Sequence, residues 1–194
     1  MLKNLPEGRT TNCCNRSVAA TNIMQIIALI PAAGKGSRYG MPKVDAMFNG
    51  ITFSQMILNT LQSAGIEENL IIRDIDTPDM LGSLKYGMNA YQAQGVHPDG
   101  WLIWPVDHPT IKIETIIFIM SIFASHANSI VIPRHAGKNG HPIMLPGSLV
   151  IPEQEFANGL KDVIMLSHFP VHFAEVDDPG ILVNINTPED VKYV

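Results

Sequence analysis

Short apolar runs rich in β-branched residues recur along this chain, and three of them end in a polar or glycine-rich signature. Gln25–Pro31 runs into a glycine-rich loop, Trp101–Val106 stops at Asp107-His108-Pro109, and Leu182–Asn184 leads into Asn186-Thr187-Pro188-Glu189. A short run that is apolar at consecutive positions reads as a strand covered on both faces. Further strands are expected at 69–73, 129–133, 143–145 and 171–176. A helix is expected over 54–64, with Ser54 as its cap and Gly65 as its stop, and others over 80–93, 113–127 and 153–166. Thr187-Pro188-Glu189 has the chemistry of a last helix start. Strands alternating with helices predict a three-layer α/β/α architecture around a mostly parallel sheet. In such sheets ligands bind beyond the carboxyl ends of strands. That is where this sequence keeps its Gly, Lys, Arg, Asp and Asn.

Size and charge then exclude several classes. A chain of 194 residues suits a single domain, expected over 23–194 after a polar tail at 1–22. The net charge is -5, and no long basic stretch supplies the footprint that nucleic-acid binding needs. Cys13 and Cys14 are the two cysteines, and an adjacent pair makes neither a disulfide framework nor a zinc site. The runs Ile26–Ile30 and Ile116–Met120 are far short of the roughly 20 apolar residues of a membrane span. The expectation is a cytoplasmic protein with no nucleic-acid and no membrane partner.

The loop Pro31-Ala32-Ala33-Gly34-Lys35-Gly36-Ser37-Arg38-Tyr39-Gly40-Met41-Pro42-Lys43 has the logic of phosphate cradling. Gly34 and Gly36 let backbone amides approach an anion closely. Arg38 offers a bidentate fork, and Lys35 and Lys43 offer point charges. The spacing fits neither the dinucleotide fingerprint nor the P-loop. At the end of the Trp101–Val106 strand, the Asp107 carboxylate projects into the expected cleft and suits a hard cation such as Mg²⁺. His108 beside it reads as a local structural residue.

The loop resembles the signature of nucleotidyltransferases with a GT-A-like fold, L-x-A-A-G-x-G-x-R-M-G-x-x-K, with Tyr39 in the place of Met. The similarity is greatest to the MobA/MocA-like group, which handles molybdenum cofactors, and the Ala-Ala-Gly form looks like its cytidylyl branch. Other stations agree. Leu81-Gly82-Ser83-Leu84 resembles a G-M-x-x-S-L segment, Asp107 and Pro109 match G-D-x-P, Gly140-His141-Pro142 matches a MocA-like triplet, and Asn184-Ile185-Asn186-Thr187-Pro188-Glu189-Asp190 resembles D-I-D-T-P-E-D.

The resemblance implies a Rossmann-like, GT-A-like sheet and a Mg²⁺-dependent transfer of a nucleoside monophosphate, CMP favoured. The donor is a nucleoside triphosphate, CTP favoured, and pyrophosphate leaves. The acceptor is a phosphorylated small molecule of molybdopterin type. Arg38, Lys43 and Asp107 carry catalysis, while Ala32, Ala33, Gly34, Lys35, Gly36, Ser83 and Pro105 bind the nucleotide. Asp107 and Asn184 hold Mg²⁺, and Arg134 and His141 face the acceptor. The protein is expected as a monomer or a transient partner of a molybdoenzyme. Two alternatives stand beside this: the same fold acting on a sugar or alcohol phosphate, or a non-catalytic nucleotide-binding module.

Overall fold

The computed structural model describes residues 24–32, 42–73, 75, 77, 79–187, 189 and 190. The expected tail at 1–22, loop residues Ala33 to Met41 and most of the expected last helix lie outside the described residues. In chain order the strands and helices are β1 (Ile26–Pro31), β2 (Met47–Phe48), β3 (Ile51–Thr52), α1 (Phe53–Ser63), β4 (Asn69–Ile72), α2 (Met80–Gln92), β5 (Gly100–Ile103), α3 (Ile113–Ser125), β6 (Ile130–His135), β7 (Lys138–Asn139), β8 (Ile143–Pro146), α4 (Leu160–Leu166) and β9 (Val171–Glu175).

The main sheet has seven strands in the order β4-β1-β5-β8-β6-β7, with β9 also paired to β6. β1 pairs in parallel with β4 and β5, and β6 with β9. β8 runs antiparallel to both β5 and β6, so β1, β4, β5, β6 and β9 share one direction and β7 and β8 oppose it. The reversal has a local cause. No helix intervenes between β6 and β8 to carry the chain back, so the chain returns directly along β6.

Side-chain alternation along β1 assigns the two faces. Ile26, Ala28 and Ile30 pack with Phe53, Ile57 and Leu61 of α1 and with Ile116, Ile119 and Phe123 of α3. Ile27 and Leu29 pack with Leu81, Leu84 and Met88 of α2 and with Leu160 and Val163 of α4. A strand buried on both sides in this way has no polar position, which is why its sequence is apolar throughout. The three-layer α/β/α expectation holds, around a mixed sheet that is mostly parallel. Among the described residues no helix is long and apolar enough to cross a membrane.

Three local expectations need correction. The cap of α1 is Thr52, whose hydroxyl accepts from the Gln55 amide, while Ser54 donates to the Val44 carbonyl. The helix expected over 153–166 begins only at Leu160. Gly159 takes φ 56°, and Asp162 accepts from the Asn158 amide and side chain, which ties down a turn ahead of the helix. The strand expected over 182–184 is preceded and partly replaced by a 3-10 turn at Pro179–Leu182. The Asp178 carboxylate caps that turn through the Gly180 amide, 3.0 Å.

Candidate active site

The carboxyl ends of β1 and β5 build the site. Past β5 the chain stays beside β1, with the Trp104 amide on the Leu29 carbonyl at 3.0 Å and the Val106 amide on the Pro31 carbonyl at 3.2 Å. Asp107 therefore leaves the sheet at the end of its central strands. The Ile185 amide donates to the Asp107 carbonyl at 2.8 Å, which fastens the 183–187 segment to the same point. Lys43 arrives from the other side on a 3-10 turn, Lys43–Asp45.

These three segments meet through side chains. Lys43 Nζ lies 3.0 Å from Asp107 Oδ2 and 2.6 Å from Asn186 Oδ1. Asn186 is held in turn by Asp190, whose Oδ2 accepts from the Asn186 amide at 2.9 Å and the Thr187 amide at 2.8 Å. Those two amides keep the Asp190 carboxyl below its ordinary range. Asn184, the expected metal ligand, is exposed. Asn186 is the residue of this motif that reaches the Lys43–Asp107 pair.

Beneath Asp107 lies a pair of histidines. His108 is 7% exposed, and its ring centroid is 4.9 Å from that of His141. Its Nε2 is 3.9 Å from Asp107 Oδ1. The Nδ1 atoms of both rings and the hydroxyl of Thr110 are buried with no hydrogen-bond partner among the described residues. Buried polar atoms without partners are uncommon and mark a place where a ligand or water completes the structure.

The β6–β8 hairpin explains how His141 gets there. Arg134 pairs with Asn139, yet Val131 pairs with Met144, so the register moves by two residues between these rungs. His141 and Pro142 are the extra residues, pushed out of the ladder. The His141 amide is caught by the Ile181 carbonyl at 3.0 Å. Gly140 cannot carry a side chain there, because a Cβ would collide with the backbone oxygen of Ile181.

Burial, and then the His108 ring, push His141 down to about 4, against an opposing pull from Asp107. His108 is lowered as well, chiefly by burial. Both rings are neutral at pH 7. The unfolded chain takes up the His141 proton near 6.5 and the folded one only near 4. Stability is therefore lost as the pH falls through that window and does not change further below it. The expected result is that the urea midpoint falls more steeply from pH 7 to 4.5 in wild type than in His141→Gln. Equal slopes would contradict a buried neutral ring.

The remaining expected residues divide in two groups. Ala32 is buried at the end of β1, its amide on the Ile72 carbonyl at 2.9 Å, and Pro105 is buried in the chain that carries Asp107. Ser83 is 1% exposed, and its hydroxyl is engaged at the start of α2, 3.2 Å from the Asp79 carbonyl and 3.0 Å from the Thr77 hydroxyl. Arg134 points along the hairpin. Its Nε donates to Asn139 Oδ1 at 2.9 Å, its guanidinium lies 3.7 Å over the Phe173 ring, and Glu175 is 3.8 Å away. Ala33, Gly34, Lys35, Gly36 and Arg38 lie outside the described residues.

Sequence reasoning missed Asn186, Asp190 and Trp104. The Trp104 indole is fully buried and donates to the His108 carbonyl at 2.8 Å, bracing the turn that carries Asp107. Trp104→Phe should cost about 2–3 kcal/mol in urea unfolding, from a small cavity plus an orphaned carbonyl. A change below about 0.5 kcal/mol would mean the indole braces nothing.

Comparison with known proteins agrees with the fold. The sequence model of the MobA-like NTP transferase domain matches residues 69–171. No curated protein matches the chain. Among solved structures, Rv0371c from Mycobacterium tuberculosis H37Rv is similar at 20% identity and a TM-score of 0.68, with 88% of this chain and 96% of that one covered. A further structure of that protein is a complex with manganese, at 18% identity and a TM-score of 0.61, covering 88% and 97%. A nucleotidyl transferase from Methanothermobacter thermautotroptrophicus is similar at 22% identity and a TM-score of 0.61, covering 88% and 95%. The 4-diphosphocytidyl-2C-methyl-D-erythritol synthase of Anaerococcus prevotii DSM 20548 is similar at 15% identity and a TM-score of 0.67, covering 88% and 96%. At these identities the likeness establishes the fold alone.

Proposed function

The chain belongs to the MobA-like NTP transferase domain family and is a nucleotidyltransferase, and from that premise we propose that it moves CMP from CTP to the phosphate of a molybdopterin-type acceptor, releasing pyrophosphate. The observation that carries this reading is the Lys43 ammonium held between Asp107 and Asn186, at 3.0 and 2.6 Å, where the central strands end. The Ala32-Ala33-Gly34 form of the loop supports cytidylyl transfer, as does the diphosphocytidyl chemistry in the name of one structural neighbour. The Gly140-His141-Pro142 triplet supports the acceptor class.

An oxygen of the acceptor phosphate attacks the α-phosphorus of CTP. The bond from that phosphorus to the bridging oxygen breaks, and its electron pair leaves with pyrophosphate. The attacking phosphate is already ionised near neutrality, so no general base is required. His141 accordingly binds the acceptor, and Arg134 attracts its phosphate. Gly34 and Gly36 amides cradle the triphosphate with Lys35 and Arg38. Lys43 swings from Asp107 to the phosphate oxygens and steadies the charge that develops there.

The oxygens of Asp107 and Asn186 already share one cation, the Lys43 ammonium. That donor set fits a hard divalent ion such as Mg²⁺, with Asn184 two residues away as a further oxygen donor. When bound, such an ion neutralises phosphate charge during transfer. On this reading the enzyme is cytoplasmic and delivers its product to a molybdoenzyme in a transient encounter.

The test is to incubate the protein with molybdopterin, Mg²⁺ and each nucleoside triphosphate in turn, following pyrophosphate and product mass together. The expected result is pyrophosphate released with CTP in step with a cytidylylated pterin. Turnover with GTP alone, or none with any nucleotide, would overturn it.

A further inference from the structure

Among the described residues Asp178 is the only buried carboxylate, at 2% exposure, and the transfer chemistry above does not use it. Its three partners are all donors. Oδ2 accepts from the Lys112 amide at 2.9 Å and from the Thr115 hydroxyl at 2.7 Å, and Oδ1 accepts from the Gly180 amide at 3.0 Å. The Lys112 ammonium turns elsewhere, to the Asp177 carbonyl at 3.2 Å. A carboxylate taken out of water is costly unless its oxygens are bonded, and here both are.

Asp178 joins two distant parts of the chain. Lys112 and Thr115 open α3, where Lys112 is the cap residue and makes no side-chain capping bond of its own. Asp178 places there the negative charge that a helix start favours. It bonds the cap amide as a side chain of the helix itself would in a capping box. α3 begins shortly after Asp107, so its first turn is fixed relative to that residue. Gly180 lies in the 3-10 turn Pro179–Leu182, at the head of the segment that leads to Asn186. Past β9 that segment joins no strand of the sheet among the described residues. It is held against the site by Asp178 on α3, by the Ile181 carbonyl on the His141 amide at 3.0 Å, and by the Ile185 amide on the Asp107 carbonyl at 2.8 Å. Asn186 Oδ1 then meets Lys43 Nζ at 2.6 Å.

We propose that Asp178 is a positioning residue of the active site: it ties the first turn of α3 to the 179–182 turn and so sets how far Asn186 stands from Asp107. It acts through Asn186, whose oxygen shares the Lys43 ammonium with Asp107. Asp178→Asn shows why a carboxylate is needed. Two of the three donors are backbone amides, which cannot turn round. Whichever way an Asn side chain sits, its NH₂ group faces the Lys112 or the Gly180 amide, donor against donor. The clamp then opens at one end. A displacement of about 1 Å is enough to spoil catalytic geometry. What the spacing serves rests on the nucleotidyl-transfer reading above.

Amide exchange of the metal-free protein, read by mass spectrometry, tests the clamp. In Asp178→Asn the amides of 180–187 should exchange about tenfold faster, while those of β1 and β5 stay unchanged. Electron paramagnetic resonance of free Mn²⁺ tests the consequence. Asp178→Asn should weaken Mn²⁺ binding about tenfold or more, the usual effect of losing a group that orients metal ligands. In an Asn186→Ala background the same substitution should weaken it by less than about twofold, because the two residues act as one unit. Thr115→Val keeps both backbone bonds and should weaken binding about threefold, while Thr115→Ser keeps the hydroxyl and should match wild type. That pair decides the matter if Asp178→Asn does not fold. Unchanged exchange at 180–187, equal losses of Mn²⁺ affinity with and without Asn186, or Mn²⁺ affinity unaffected by Thr115→Val would overturn the inference. Absence of Mn²⁺ binding in wild type would instead count against the functional reading, and the exchange result would still decide whether Asp178 holds the segment.

Discussion

Asp107→Asn lowers kcat/KM for nucleotidyl transfer by about 10²–10³-fold, the usual effect of removing one preorganised electrostatic group from a transition state. The substitution keeps the shape and one oxygen acceptor, so the backbone bond from Ile185 to the residue 107 carbonyl survives. What is lost is the negative charge. The folded protein loses about 1–3 kcal/mol with it, because the side chains of this ion pair are only 18% and 20% exposed, although the Asn oxygen can still accept from the ammonium. Steady-state kinetics and urea unfolding on the same preparation separate the two effects. A variant that unfolds readily but turns over normally would place Asp107 among the structural residues.

Lys43→Met produces two effects of opposite sign. Transfer falls by about 10²-fold, because no cation moves onto the phosphates as they gain charge. Binding of Mn²⁺ to the nucleotide-free protein becomes tighter, by about three- to tenfold. The reason is competition: in wild type the ammonium already occupies the space between Asp107 Oδ2 and Asn186 Oδ1, and a divalent ion must displace it at a Coulombic cost. Electron paramagnetic resonance of free Mn²⁺ reads the affinity without any turnover. Weaker Mn²⁺ binding in Lys43→Met would mean the metal sits elsewhere.

The sequence revealed the architecture through β1 and β5. Their unbroken apolar character has one physical origin, burial on both faces, and Ile27 against α2 with Ala28 against α1 and α3 is that burial made visible. Asp107 was legible for a related reason, since a carboxylate that ends such a strand has only the cleft to enter. Asn186 was not legible. Alternation along Asn184-Ile185-Asn186 puts both asparagines on the same side, and only the 3-10 turn at Pro179–Leu182 and the Ile185–Asp107 bond decide which one reaches Lys43. The position of His141 was hidden in a different way. A two-residue shift in hairpin register is a property of the pairing between β6 and β8, and neither strand carries it alone. The late start of α4 was hidden by its apolar neighbours, because Gly159 interrupts a pattern that otherwise continues in phase.

The central claim is that the carboxyl ends of β1 and β5 form a metal-dependent nucleotide site centred on Asp107. Calorimetric titration of CTP, GTP and ATP into wild type and Asp107→Asn, each with Mg²⁺ and with EDTA, tests it most directly. The account predicts that CTP binds wild type, that EDTA weakens this binding, and that Asp107→Asn removes the difference between Mg²⁺ and EDTA. Binding that is indifferent to Mg²⁺ in wild type, or no binding of any nucleotide, would contradict it.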